Sequence, residues 1–376
     1  MPGTNDYRRH VQTDYGNRMR AAMSTLCPEG YKFVLLNKLG RYDGAAGGWA
    51  RMPADPPALR AALNDRQLIA SLTKIVTGAA ILNRLQAKGI SPNEPLHKFL
   101  PPGFKPSPQF KTLTILNFLN HKTGFTQAHQ PGGGTSYAEI KDIVGKTPIA
   151  PAPAQPVYLR FNYAIMRLVL PGLDLYDPGS KKVLWPAPAP GAEYFAERYI
   201  ALVNQHVLAP LGIPTADCRP DTLSPTDKLA AAFGKKYPVL CYPPNPQGAK
   251  GAASIDYTQD AGAGGWFLSV EEMGKILHGL YFGTAILNPQ SKKLMFRDPW
   301  VNGEYGAGAW CTAVGNRQAF QHSGGVPFGG GSFLSQYYIF PPEGIIFVGL
   351  TNGAQPGIGQ WENKAKTEFV ASYGPG

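Results

Sequence analysis

Apolar residues recur at helical spacing through Ile75, Ala79, Leu82 and Leu85, a run that follows Ser71-Leu72-Thr73-Lys74 and stops at Gly89. The same period predicts helices over 14–27, 111–124, 162–170, 193–208 and 361–373. The second carries Leu113, Leu116 and Leu119 and ends at Gly124; Pro171-Gly172 should stop the third, and Pro210 the fourth. Ser269 with Glu272 reads as a capping box ahead of Met273, Ile276, Leu277 and Leu280. Strand patterns occupy 31–38, 306–312, 333–341 and 344–352, with Pro341-Pro342-Glu343-Gly344 as the turn between the last two. GRYDGAAGGWAR (40–51) reads as a hairpin-like turn region. The proline-rich runs at 147–156 and 186–191 cannot be helix interior or central strand, so they are expected as extended surface segments.

Strands therefore lie at both ends of the chain and helices in the middle. The expectation is an α/β protein: one antiparallel sheet flanked by helices, formed by both chain ends, with a mostly helical insertion. On this reading residues 1–70 and 262–376 form the sheet unit, 71–261 the helical unit, and a site lies at their interface.

The 376 residues suffice for a sizeable core. With 36 basic and 25 acidic residues the net charge is +11. The cations are scattered, with no zinc-finger or aromatic–basic module, so a basic surface is a plainer reading than a nucleic-acid partner. Four cysteines (Cys27, Cys218, Cys241, Cys311) are too few for a disulfide scaffold. Free buried thiols are the simpler expectation, with a Cys218–Cys241 bridge as the alternative. No window reaches the ~18 apolar residues of a membrane span. The N-terminal stretch has no signal-peptide core; the default expectation is cytoplasmic, or periplasmic or secreted if a leader was removed. No metal or other cofactor is expected, and oligomeric state is open.

Ser71-x-x-Lys74 places a hydroxyl and an amine on one helical face. A serine is a poor nucleophile until a base takes its proton, and a partly buried lysine beside other donors can become that base. Backbone N–H groups of a first helical turn favour developing negative charge. Tyr158, between the proline run and a helix, is the candidate for a second proton-transfer group; taken alone, a core or surface role suits it better. QHSGGVPFGGGSF (321–333) supplies His322, which can donate to the site or tune Tyr158, and glycines whose backbone can approach a ligand closely. It lacks the lysine of a phosphate-binding loop.

In this order the pieces resemble the serine beta-lactamase and penicillin-binding-protein superfamily, in particular its class C beta-lactamase-like group of esterases, D-aminopeptidases and nylon-oligomer hydrolases. Ser71-Leu-Thr-Lys74 is similar to the SxxK of that group, 113–125 to the segment ending in HTSG, and Tyr158-Leu-Arg160 to Tyr-x-Asn. VLAPLGI (207–213), GAGGWFLSVEEMGKIL and the closing hairpin 339–353 follow in the same order, and His322-Ser323-Gly324 occupies the place of Lys-Thr-Gly. The resemblance implies that Ser71 is acylated, that Lys74 and Tyr158 share its proton, and that the N–H groups of Ser71 and Gly325 form an oxyanion hole. It also implies a small ester or amide as substrate, with deacylation by water.

Two departures weaken a beta-lactamase reading: Arg160 stands for the asparagine, and His322 for a lysine. Arg160 either faces the site and binds a carboxylate or points outward. Phe125, Trp310 and Phe328 can line an acyl pocket, although core packing is the commoner use of each, and Ser323 and Gly324 are further candidates for substrate contact. Carboxylesterase action is favoured; D-amino-acid peptidase, amidase or beta-lactamase action is the alternative. The reading from another class is a catalytically silent, ligand-binding relative.

Overall fold

The computed structural model describes residues 4–146, 155–188, 190–220, 237–244, 246–353 and 358–375. These described residues form eleven strands: β1 (Gly30–Asn37), β2 (Gly40–Arg51), β3 (Leu59–Arg60), β4 (Gln67–Leu68), β5 (Tyr176–Asp177), β6 (Lys182–Val183), β7 (Phe267–Leu268), β8 (Trp310–Val314), β9 (Arg317–Phe328), β10 (Gly331–Phe340) and β11 (Ile345–Thr351). Seven of them make one sheet in the order β3-β2-β1-β11-β10-β9-β8. The expected junction of the two chain ends is the antiparallel β1–β11 pair, in register from Tyr31↔Thr351 to Leu36↔Ile346.

This sheet is covered on both faces. Phe33, Leu35, Tyr338, Phe340 and Phe347 pack under helix α1 (Thr4–Leu26), through Tyr15, Met19 and Met23, and under the C-terminal helix over 358–373, through Phe369. Val34, Leu36, Ile339, Ile346 and Val348 face the larger core. That core includes α2 (Thr73–Lys88), α3 (Ile115–Leu119), α4 (Tyr137–Lys146), α5 (Phe161–Ala164), α6 (Met166–Asp174), α7 (Ala192–Val203) and α8 (Val270–Tyr281). Since both faces are buried, β1 is apolar at successive positions rather than alternating. α8 starts on the predicted box: Ser269 accepts from the Glu272 N–H, and the Glu272 carboxylate from the Ser269 N–H at 2.9 Å.

Three expectations change. Residues 40–51 are a full strand, because pairing with the apolar β1 from Gly30↔Gly48 to Asn37↔Gly40 overrides a glycine-rich composition. Pro171 lies inside α6 instead of ending it, forgoing one backbone donor within a wholly buried segment. The helix expected over 111–124 is α-helical only at Ile115–Leu119. The cysteines follow the simpler expectation: all four are free and buried, and Cys218 and Cys241 belong to different apolar clusters. Residues 147–154 and 189 of the proline-rich runs lie outside the described residues.

α2 is held by close backbone contact. Gly308, at φ +102°, lies so near that an added Cβ would collide with Ile75 Cα and stand 2.6 Å from its nitrogen. Gly89, the left-handed C-cap of the same helix, has open space around it. Gly89→Ala should cost about 1–2 kcal/mol, the backbone penalty alone. Gly308→Ala should cost clearly more, roughly 4 kcal/mol, because a packed backbone must also move. Urea denaturation of the two variants checks this; equal losses would show that α2 does not depend on that approach.

Candidate functional site

Ser71 sits in the short turn Ala70–Leu72 that leads into α2. Ala70 adopts φ +47°, a left-handed conformation unusual for a residue with a side chain. The turn is tied on both sides: Ile69 N donates to Trp266 O at 3.0 Å, and Ser335 Oγ to Ile69 O at 2.7 Å. β9 presses on the same turn through Gly324, where a Cβ would come 2.6 Å from Ser71 N and 2.7 Å from Ser335 Oγ. Only glycine fits there. β8 pairs with β9 no farther than Trp310↔Gln321, so among the described residues the backbone of Ser323–Gly325 has no partner strand on that edge.

Two side chains converge on Ser71 Oγ. Lys74 Nζ donates to it at 3.1 Å and to Ala263 O at 2.6 Å; the Tyr158 hydroxyl donates at 2.8 Å. Lys74 is fully buried, and its Nζ lies 4.9 Å from the Tyr158 ring centre and 5.9 Å from that of Tyr163. Both carbonyl oxygens and ring faces suit a buried cation. The three side chains singled out in the sequence therefore form one hydrogen-bonded group.

His322 is adjacent but turned away. Its Nδ1–H donates to Ser323 O at 2.6 Å, a carbonyl that can only accept, which leaves Nε2 to accept from the Tyr305 hydroxyl at 3.0 Å. Burial and the Lys74 ammonium push it down to about 3, so it is neutral at ordinary pH. It meets Tyr158 ring to ring, 5.7 Å between centres. Of the apolar candidates only Trp310 is at this place, stacked with Tyr158 at 6.3 Å. Phe125 is core packing against Phe110 and Phe161, and Phe328 belongs to a separate cluster with Phe333. Arg160 is half-exposed and pairs through Nη2 with Asp260 Oδ2 at 2.7 Å.

Several participants escaped the sequence reading. Ala263 acts through its carbonyl, and Asp260 and Tyr305 stand in segments with no motif. His121 is buried between Tyr158 (4.7 Å) and Tyr305 (4.6 Å). Its Nδ1 accepts from Leu159 N at 3.2 Å, which puts the proton on Nε2, an atom without a partner among the described residues. Burial, then the charge of Lys74, holds it well below the usual histidine range. The HKTG quartet that carries it was legible as a motif, and that signal could have marked this histidine. Among the described residues no cluster of three or more His, Cys, Asp or Glu is placed to hold a metal, and no helix is long and apolar enough to cross a membrane.

A family model described as beta-lactamase matches residues 40–369. No curated protein matches the chain. Among solved structures, the chain resembles the D-amino acid amidase from Ochrobactrum anthropi SV3 complexed with L-phenylalanine, at TM-score 0.67 and 16% identity, over 97% of this chain and 98% of that one. It also resembles a class C beta lactamase from Rhodobacter sphaeroides, at TM-score 0.68 and 13% identity, over 96% and 99%. A third is the octameric penicillin-binding protein homologue from Pyrococcus abyssi, at TM-score 0.66 and 16% identity, over 97% and 77%. At such identities the likeness is one of fold.

The two depressed histidines make stability depend on acid. Unfolded, each binds a proton below about 6.5, whereas the native state refuses it. Their contribution is fully present above pH 6.5 and is lost as pH falls toward about 3 for His322. Between pH 7.5 and 4.5, His322→Gln should lose roughly 2–3 kcal/mol less unfolding free energy than wild type. Urea titrations at both pH values measure this, and parallel losses would show that His322 is protonated in the native protein.

Proposed function

The chain belongs to the beta-lactamase family, and from that premise we propose that it is a serine hydrolase that cleaves a small ester or amide through an acyl-enzyme on Ser71. The observation that carries this is the convergence of Lys74 Nζ (3.1 Å) and the Tyr158 hydroxyl (2.8 Å) on one serine oxygen. Ser71 Oγ attacks the carbonyl carbon while its proton passes into the Lys74–Tyr158 pair, one of which must arrive deprotonated. The N–H groups of Ser71 and Gly325 receive the oxyanion, a contribution of about 3 kcal/mol or more in such sites. Tyr158 then returns the proton to the departing oxygen or nitrogen. Water repeats the route against the acyl carbonyl, releasing the acid and restoring the Ser71 hydroxyl.

Esters are the favoured substrates. An alkoxide or phenoxide leaves with less protonation than an amine, and a neutral His322 offers the leaving side no cation. The fold shared with a D-amino acid amidase supports amide cleavage as the second reading. A silent binding relative is the reading from another class, but among the described residues the Arg160–Asp260 pair makes no hydrogen bond to Ser71, Lys74 or Tyr158.

Wild type is expected to turn over p-nitrophenyl butyrate. Ser71→Ala should abolish turnover without loss of the folded state, and activity above a few per cent of wild type would overturn the nucleophile. Lys74→Ala and Tyr158→Phe should each lower kcat by about 10²-fold or more, read from initial rates alongside circular dichroism.

A further inference from the structure

We infer that His121 is a positioning residue of this site: it fixes the backbone on both sides of Tyr158 and so aims that hydroxyl at Ser71. The inference rests on the serine-hydrolase reading and names what directs its proton-transfer group. Tyr158 lies in the stretch 155–160, which belongs to no helix or strand. Its aim therefore depends on individual bonds rather than on a regular ladder. The backbone donors on either side of it both go to His121: Val157 N donates to His121 O at 2.9 Å, and Leu159 N to its Nδ1 at 3.2 Å. The imidazole also packs against the Tyr158 ring, 4.7 Å between centres. One residue thus holds Tyr158 by its two neighbours and by its own ring, while the hydroxyl reaches Ser71 Oγ at 2.8 Å.

The tautomer this grip needs is set by a chain of side chains. Phe125 N donates to Thr123 Oγ1 at 3.4 Å, and Thr123 Oγ1 donates to Asn162 Oδ1 at 3.1 Å. The Asn162 amide is thereby oriented to donate from Nδ2 to His121 Nδ1 at 3.0 Å. With two donors facing it, Nδ1 must accept, and the ring proton stays on Nε2. A histidine kept only for packing would not be built this way. Its backbone is left-handed, at φ +55°, a conformation unfavourable to a residue with a side chain. Its buried Nε2–H has no partner among the described residues. Both features cost stability; what the arrangement gains is an acceptor and a flat ring at the place that aims Tyr158.

Two amide side chains separate this role from packing. Asn carries an acceptor as many bonds from the backbone as Nδ1 and suits a left-handed backbone, whereas Gln places its amide at the reach of Nε2. With p-nitrophenyl butyrate, His121→Gln should lower kcat between about 10- and 100-fold with KM little changed, and His121→Asn should recover most of that loss. In a Tyr158→Phe background His121→Gln should add little, because the group it positions is already gone. Exchange of the Leu159 amide, followed by NMR, should be slow in wild type, fast in His121→Gln and slow again in His121→Asn. An undiminished kcat in His121→Gln, no recovery in His121→Asn, or losses that multiply in the Tyr158→Phe background would overturn the inference and leave His121 as core packing. If wild type neither hydrolyses the ester nor takes up a fluorophosphonate, the hydrolase reading fails and the exchange pattern alone decides: the expected pattern supports His121 as the residue that holds Tyr158, and equal exchange in all three proteins overturns it. If neither variant folds, wild type decides: protection at both Val157 and Leu159 supports the inference, and prompt exchange at Leu159 overturns it.

Discussion

The site depends on keeping one amino group out of water. Lys74 is completely buried, and a buried ammonium is tolerable only where oxygen acceptors and polarisable faces surround it. Ala263 O and Ser71 Oγ supply the first; the rings of Tyr158 and Tyr163 supply the second. Each partner arrives from a different part of the chain, so satisfying Lys74 requires the turn at 70–72, the segment 155–160 and the loop before β7 to be in place together. That requirement couples the fold to the chemistry, since the same contacts aim both the lysine and the tyrosine at one serine oxygen.

The electrostatics follow from that cation. His121 and His322 stand near it in a dry setting, and both are held neutral by burial reinforced by the Lys74 charge. Neutral imidazoles here serve as rigid hydrogen-bonding plates. His322 links Tyr305 to the β9 backbone, and His121 holds the segment bearing Tyr158 through Leu159 N. Arg160, half-exposed, keeps its charge in solvent and in its pair with Asp260.

Much of this is legible in the sequence. Local signals sufficed for the Ser71 helix and its Gly89 stop, for the Ser269–Glu272 box and for the closing hairpin, because each depends on neighbours a few residues apart. That the two chain ends meet in one sheet followed from strand patterns at both of them. The 40–51 strand was missed because its glycines and alanines look like a turn until β1 lies beside them. Pro171 misled because a buried helix can tolerate a missing donor. Arg160 left two readings open because its partner, Asp260, lies 100 residues away in a segment without a motif. Ala263 could not be found at all: a backbone carbonyl has no signature in the residue that bears it.

The most direct test of the central claim is covalent. A fluorophosphonate should phosphonylate wild type once per chain, with the adduct on the Ser71 peptide, and both Lys74→Ala and Tyr158→Phe should label far more slowly. That outcome would show a serine made nucleophilic by the two groups bonded to it. An unlabelled wild type, an adduct on another residue, or labelling at undiminished rate in both variants would contradict the account.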